Sequence, residues 1–174
     1  MESKMVPVVI ALGSNVGDAV QNLQSAVDQL REFVHELTPS RIYQTAPMYV
    51  TDQPPFLNAA VSGQTDLGPL ALLAQIKAIE QRIGRQTRER YGPREIDLDI
   101  IAYGALHYRQ DDRLEIPHPR AGERRFVLLP VSEIAPGLKL TKINTVEDLL
   151  FATESQAGDV LLKNNALLSV HRHQ

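Results

Sequence analysis

The 174-residue chain contains no cysteine. Disulfides, thiolate nucleophiles and cysteine-ligated zinc are therefore all excluded. No apolar run approaches the roughly 18 residues that would read as a membrane span, so no membrane partner is expected. The opening Met1-Glu2-Ser3-Lys4-Met5-Val6-Pro7 lacks the basic region and apolar core of a secretory leader, and the expected compartment is the cytoplasm. Gly13 to Gly17 has glycines but not the Gly-Lys-Ser/Thr ending of a Walker loop, so no such site is assigned. Lysine is absent between Arg82 and Arg125, a window that holds ten arginines. Fixed guanidinium forks suit bidentate contact with phosphate oxygens, whereas a net charge of -3 argues against a general nucleic-acid binder. The plainer alternative is that Glu80, Glu89, Glu95, Glu115 and Glu123 pair with these arginines on a wet surface.

What is present, 43% hydrophobic and 22% charged residues, suits one globular domain spanning residues 1–174. Residues 8–12 form a short apolar run that reads as a buried strand entering a turn at Gly13-Ser14-Asn15. Leu23, Val27, Leu30 and Val34 then make one helical stripe, with Asp18 near its start. Residues 41–45 read as a strand, followed by the proline-stiffened loop at Asp52-Gln53-Pro54-Pro55. In the next strand Leu57, Ala59 and Val61 share one face, and Phe56, Asn58 and Ala60 the other. An aromatic ring and an amide on one face can sandwich and hydrogen-bond a flat heterocycle, although edge packing and an internally satisfied amide fit equally well.

A second helical stripe, Leu72, Ile76, Ile79 and Ile83, starts after Gly68-Pro69 and stops at Gly84. Residues 85–91 are polar and aperiodic, which suggests a lid. Prolines flank His118 in a stiff extended segment, where a phosphate or leaving-group contact competes with a structural role. Residues 126–131 are apolar enough for core, Thr145 to Asp148 resembles a capping box, and the tail at 155–174 carries no legible chemistry. The order strand, helix, two strands, helix, strand predicts an α+β fold, a ferredoxin-like βαββαβ unit with C-terminal additions. Helices on one sheet face would leave the other free for a cleft.

The central stretch runs from Tyr91 to Tyr103. As a strand from residue 96, it sends Ile96, Leu98, Ile100 and Ala102 one way and Asp97 and Asp99 the other. Two residues of rise separate the aspartates by roughly 7 Å, near enough to share one Mg²⁺ or clamp a pair of ions. A solvated face is the alternative, but Asp is rare in strands and two carboxylates together call for a positive partner.

Gly92-Pro93-Arg94-Glu95-Ile96-Asp97-Leu98-Asp99 closely resembles the signature of the hydroxymethyldihydropterin pyrophosphokinases of folate biosynthesis. Residues 11–15, residues 53–61, and Pro117-His118-Pro119-Arg120 with Arg124 and Phe126 are similar to family segments in the family's order. The resemblance implies transfer of the pyrophosphoryl group of ATP to the hydroxymethyl of a dihydropterin, releasing AMP. It implies that Asp97 and Asp99 hold two Mg²⁺ ions, and that Arg85, Arg94, His118 and Arg124 neutralise the triphosphate. Glu80, Arg88, Ile100 and Arg113 would border the nucleotide. Thr45, Ala46, Met48 and Asn58 would surround the pterin edge, Phe56 and Phe126 would stack on the ring, and Tyr91 would cover it. The chain departs from the family pattern at Thr87, where a second lid arginine is common and Arg88 is the neighbouring substitute; at Tyr91, commonly Trp; and at Ala46, commonly Pro. Two other classes remain on residue grounds: a two-metal nucleotidyltransferase, and an RNA-binding module of the same fold. Small-molecule substrates and a monomer are expected.

Overall fold

The computed structural model describes residues 4–46, 52–84 and 94–167, with side chains through residue 163. Strand β1 (Val6–Ser14) leads into helix α1 (Ala19–Leu30), where Asp18 is the N-cap and accepts a hydrogen bond from the Gln21 N–H. Short strands β2 (His35–Pro39) and β3 (Arg41–Thr45) follow, then the long β4 (Phe56–Thr65). Helix α2 (Pro69–Ile83) begins with proline in its first turn and ends on Gly84, whose φ of 100° is the left-handed cap that glycine favours. Strand β5 (Asp97–Tyr103) carries the aspartates. A hairpin of β6 (Tyr108–Gln110) and β7 (Leu114–Ile116), helices α3 (Arg125–Ile134) and α4 (Val146–Ala152), and strand β8 (Val160–Leu167) complete the described chain.

The main sheet is antiparallel, with order β5-β1-β4-β3-β8 and β2 also beside β4. Strands β2 and β3 read as one strand interrupted at buried Ser40, whose N–H donates to the Ala60 carbonyl and whose Oγ accepts the Ala60 N–H. The stripes of both long helices behave as expected. Leu23, Val27, Leu30, Leu72, Ile76 and Ile79 are fully buried against Val8, Ile10, Leu12, Leu57, Ala59, Val61, Leu98 and Ile100. Thr145 and Asp148 form the expected capping box of α4.

Several expectations are corrected. Helix α1 ends at Leu30, so buried Val34 packs from the connection that follows, and β2 lies where no strand was anticipated. Strand β1 runs on through Gly13 and Ser14, where a turn was expected. His118 follows a cis Ile116–Pro117 bond at a bend, and a turn at Pro119–Arg120 ends the extended run. The tail supplies β8. The two-residue alternation of β5 also breaks: Ile10 pairs with Ile100 but Val9 pairs with Ala102, so Ile101 is an extra residue. Ile96, Leu98 and Ile100 stay on the α1/α2 side, whereas Ile101 and Ala102 both join Leu128, Val131 and Val146 of α3 and α4. The second sheet face is therefore covered by α3 and α4 beneath the bulge, and the Asp97/Asp99 end lies beyond that cover.

Gly63 on β4 is fixed by close approach. A Cβ there would lie 2.5 Å from Val34 Cγ1 and 2.8 Å from the His35 carbonyl oxygen. Gly63→Ala is expected to lower unfolding stability by about 2 kcal/mol through overpacking. Urea denaturation followed by circular dichroism reads this directly, and an unchanged midpoint would contradict the packing shown.

Candidate active site

The site is assembled on one row of the sheet. Asp97 on β5 pairs with Gly13 on β1, Gly13 pairs with Asn58 on β4, and Asn58 pairs with Tyr43 on β3. Directly paired residues share a face, so Asp97 and Asn58 project to the same side from backbones about 10 Å apart, with a glycine between them. A Cβ on Gly13 would sit 3.1 Å from Asn58 Oδ1 and 3.9 Å from Phe56 Cδ1. The missing side chain thus keeps open the space between an aromatic ring, an amide and a carboxylate. Asn58 Nδ2 donates to Thr45 Oγ1 at 2.7 Å, and both residues are buried. Ala46, exposed beyond β3, donates its N–H to the Asp159 carbonyl at 3.2 Å.

Asp97 and Asp99 point to the same side while Leu98 between them is buried. Because β5 is an edge strand, the outward N–H of Leu98 lacks a strand partner; buried Glu80 accepts it at 2.9 Å. Lys77, one turn earlier on α2, donates to the other Glu80 oxygen at 3.0 Å. Glu80 therefore braces the aspartate strand from beneath and is absent from the cavity wall beside it. That cavity, of about 280 Å³, is lined on one side by Leu73, Lys77, Asp99 and Ile100 and on the other by Arg113 and His118. Lys77 escaped the sequence reading because it lies off the apolar stripe; its spacing of three residues from Glu80 was the available signal.

His118 is oriented from both sides. Its backbone N–H donates to the Ile101 carbonyl, and its Nδ1 accepts the Arg120 N–H at 3.2 Å. Burial, and next the Arg124 charge, hold His118 below the usual imidazole value, so near pH 7 it is neutral with its proton on Nε2. Nε2 lies 4.0 Å from Asp99 Oδ1. Arg124 stands with its Cζ 5.6 Å from the centre of the Phe126 ring, and its Nε is buried without a hydrogen-bond partner among the described residues. Such a group fits an anion. Arg94 enters β5 with its backbone fixed, its N–H donating to Asn15 Oδ1 at 2.8 Å. Met48, Arg85, Arg88 and Tyr91 lie outside the described residues.

The family model of 7,8-dihydro-6-hydroxymethylpterin-pyrophosphokinase matches residues 9–136, which include this whole constellation. The chain belongs to that family. It is 37% identical over 148 residues to the Haemophilus influenzae 2-amino-4-hydroxy-6-hydroxymethyldihydropteridine pyrophosphokinase, a match covering 84% of this chain and 92% of that protein. It is 51% identical over 128 residues to the mitochondrial folate synthesis bifunctional protein of Pisum sativum, covering 73% of this chain and 25% of the relative. The chain thus spans about a quarter of the length of the bifunctional relatives that it matches. Its fold is similar to the wild-type Plasmodium falciparum HPPK-DHPS crystal structure with pteroate, at TM-score 0.72 and 17% identity, covering 90% of this chain and 44% of that one.

The aspartate pair of this chain is electrostatically perturbed. Burial first, then the Asp97 charge and more weakly that of Glu80, push Asp99 from 3.8 up to about 7, with Lys77 and Arg124 opposing. The side chain is still 41% exposed, as expected at the floor of an open cleft that protein surrounds on most sides. A carboxyl with a raised folded-state pKa binds its proton more tightly folded than unfolded, so its contribution to stability is complete below the unfolded value and is lost as pH rises through about 7. In chelator, Asp99→Asn is expected to gain melting temperature over the parent as pH rises from 4 to 7, and to hold that gain above 7. Paired thermal melts across pH test this; a gap that does not change with pH would remove the assignment.

Proposed function

We propose that the protein transfers the β,γ-pyrophosphoryl group of ATP to the hydroxymethyl group of 6-hydroxymethyl-7,8-dihydropterin, giving the pterin diphosphate and AMP in folate biosynthesis. The observation that carries this reading is the row Asn58, Gly13, Asp97. It sets a face able to read a flat, hydrogen-bonding ring one open strand away from a carboxylate pair. Family membership supports the same substrates. The βαββαβ core is read as ferredoxin-like, supported by the order β5-β1-β4 with β2 and β3 together beside β4. Residues 1–174 are proposed as one pyrophosphokinase unit, acting as a cytoplasmic monomer.

The residues fit divalent cations. The Asp97 charge helps raise the proton affinity of Asp99 on the same face, and that repulsion is relieved by a shared positive charge. Asp97 and Asp99 would hold two Mg²⁺ ions. Among the described residues no group of three or more His, Asp or Glu is arranged to hold a metal ion, so phosphate oxygens and water would fill the remaining positions, as Mg²⁺ favours. When bound, the ions supply neutralisation of phosphate charge. Arg85, Arg94 and Arg124 would bind the triphosphate, with buried Arg124 Nε as a ready donor. His118 would present Nε2–H to the α-phosphate, and Ile100, Arg113 and Arg88 would border the nucleotide, with Glu80 acting through β5. Phe56 and Phe126 would hold the pterin between rings, Thr45 and Asn58 would read its polar edge, and Ala46, Met48 and Tyr91 would flank it.

Phosphoryl transfer passes through a loose transition state with dispersed negative charge, so orientation and positive charge matter more than a strong base. The hydroxymethyl oxygen bonds to the β-phosphorus, the bond between that phosphorus and the bridging α,β-oxygen breaks, and the electron pair leaves with AMP. The hydroxyl proton passes to solvent or to a carboxylate of the pair. A two-metal nucleotidyltransferase would use the same carboxylates but release pyrophosphate. An RNA-binding face is disfavoured by its aspartates and the net charge of -3.

Phosphorus NMR of a reaction with ATP, Mg²⁺ and hydroxymethyldihydropterin is expected to give AMP and pterin diphosphate in equal amounts. ADP would mean a simple kinase, and pyrophosphate with an adenylylated acceptor would mean the nucleotidyltransferase. Asp97→Ala and Asp99→Ala should each lower turnover by about 10³-fold while remaining folded. Near-normal activity in either would sink the metal assignment.

A further inference from the structure

Asn15 takes no direct part in the proposed transfer, yet its side chain ties together two segments that serve different substrates. It is 4% exposed, and every polar atom of its amide is used. Oδ1 accepts the Arg94 N–H at 2.8 Å, and the Asn15 N–H donates back to the Arg94 carbonyl at 3.0 Å. Nδ2 donates to Gln53 Oε1 at 3.0 Å and to the Pro54 carbonyl at 2.9 Å. Arg94 opens the turn into Asp97 and Asp99. Gln53 and Pro54 open the loop into Phe56 and Asn58. The clamp is itself anchored, because Ser14 Oγ donates to the Glu95 carbonyl, and Asn22 of α1 donates to Ser14 Oγ at 3.3 Å and to the Val16 carbonyl at 2.9 Å.

We propose that Asn15 is a positioning residue that fixes the distance between the acceptor-binding loop and the phosphate-binding turn. This rests on the pyrophosphokinase reading. The chemistry favours the amide specifically: Asp offers no N–H to Gln53 or Pro54, and Ala offers neither donor nor acceptor. In-line transfer demands that the hydroxymethyl oxygen and the β-phosphorus meet at one separation, and misplacement by about 1 Å can cost roughly 10²-fold in rate. Each loop keeps its own ligand contacts without Asn15. Loss of the clamp therefore strikes the transfer step and spares the binding of either substrate alone.

The test compares the parent with Asn15→Ala, which cuts both arms, and Gln53→Ala, which removes the Gln53 contact of the acceptor arm at a partly exposed loop position. Rapid-quench single turnover gives the transfer rate, and calorimetry gives the separate affinities for a non-hydrolysable ATP analogue and for the pterin. The expected result is a transfer rate lowered about 10²-fold in Asn15→Ala and by a smaller factor in Gln53→Ala, with both single-ligand affinities unchanged. An unchanged rate in folded Asn15→Ala overturns the proposal, as does a loss wholly explained by weaker binding of one ligand. If Asn15→Ala does not fold, Gln53→Ala decides alone: an unchanged rate overturns the proposal and a lowered one supports it. No AMP from the parent protein would instead sink the functional reading itself.

Discussion

Two carboxylates on the same face of one strand repel each other, and much of the surrounding structure answers that repulsion. The strand must be straight and fixed there, although among the described residues it is an edge with only β1 beside it. Glu80 supplies the missing partner for Leu98 from the helix below, at the cost of a third negative charge, and Lys77 offsets that charge. Arg124 and the neutral, Nε2-protonated His118 converge from the other side. The pair is stable as a strand feature, yet burial and the Asp97 charge still raise the proton affinity of Asp99, a repulsion that a cation with its phosphates would relieve.

The periodic parts of this fold were legible. The stripes Leu23/Val27/Leu30 and Leu72/Ile76/Ile79 each match one period throughout, and one helix side faces one core. The aspartate pair was legible for the same reason, since a two-residue repeat places Asp97 and Asp99 together whatever lies around them. Hidden were the features that tertiary pairing decides. His35 to Pro39 has no apolar alternation, and it is a strand because β4 offers it partners. The extra residue at Ile101 follows from register with β1, which no local pattern records. Asn15 and Gln53 are ordinary loop residues in sequence, and only folding brings Gln53 and Arg94 to the same amide.

The bulge at Ile101 also divides the labour of the second sheet face. By turning both Ile101 and Ala102 toward α3 and α4, it gives those helices an apolar seat and ends the cleft floor at Asp99. Below that point the face is core; above it the row from Asp97 to Asn58 stays open. Helix α3, entered directly from Arg124, carries the positive charge and the Phe126 ring to the boundary. A register irregularity of one residue thus separates packing from chemistry on a single strand.

Strand β8 converts β3 from an edge into an interior strand, with Val160 opposite Thr45 and Ala46 tied to Asp159. Local opening in proteins proceeds from the least protected segments inward. Backbone hydrogen bonds of β3 that face β8 cannot open until that peripheral strand detaches. The free energy of peeling away a segment with no chemistry of its own therefore sets the amide exchange rate, and the residence time, of the backbone that presents Thr45 to the cleft.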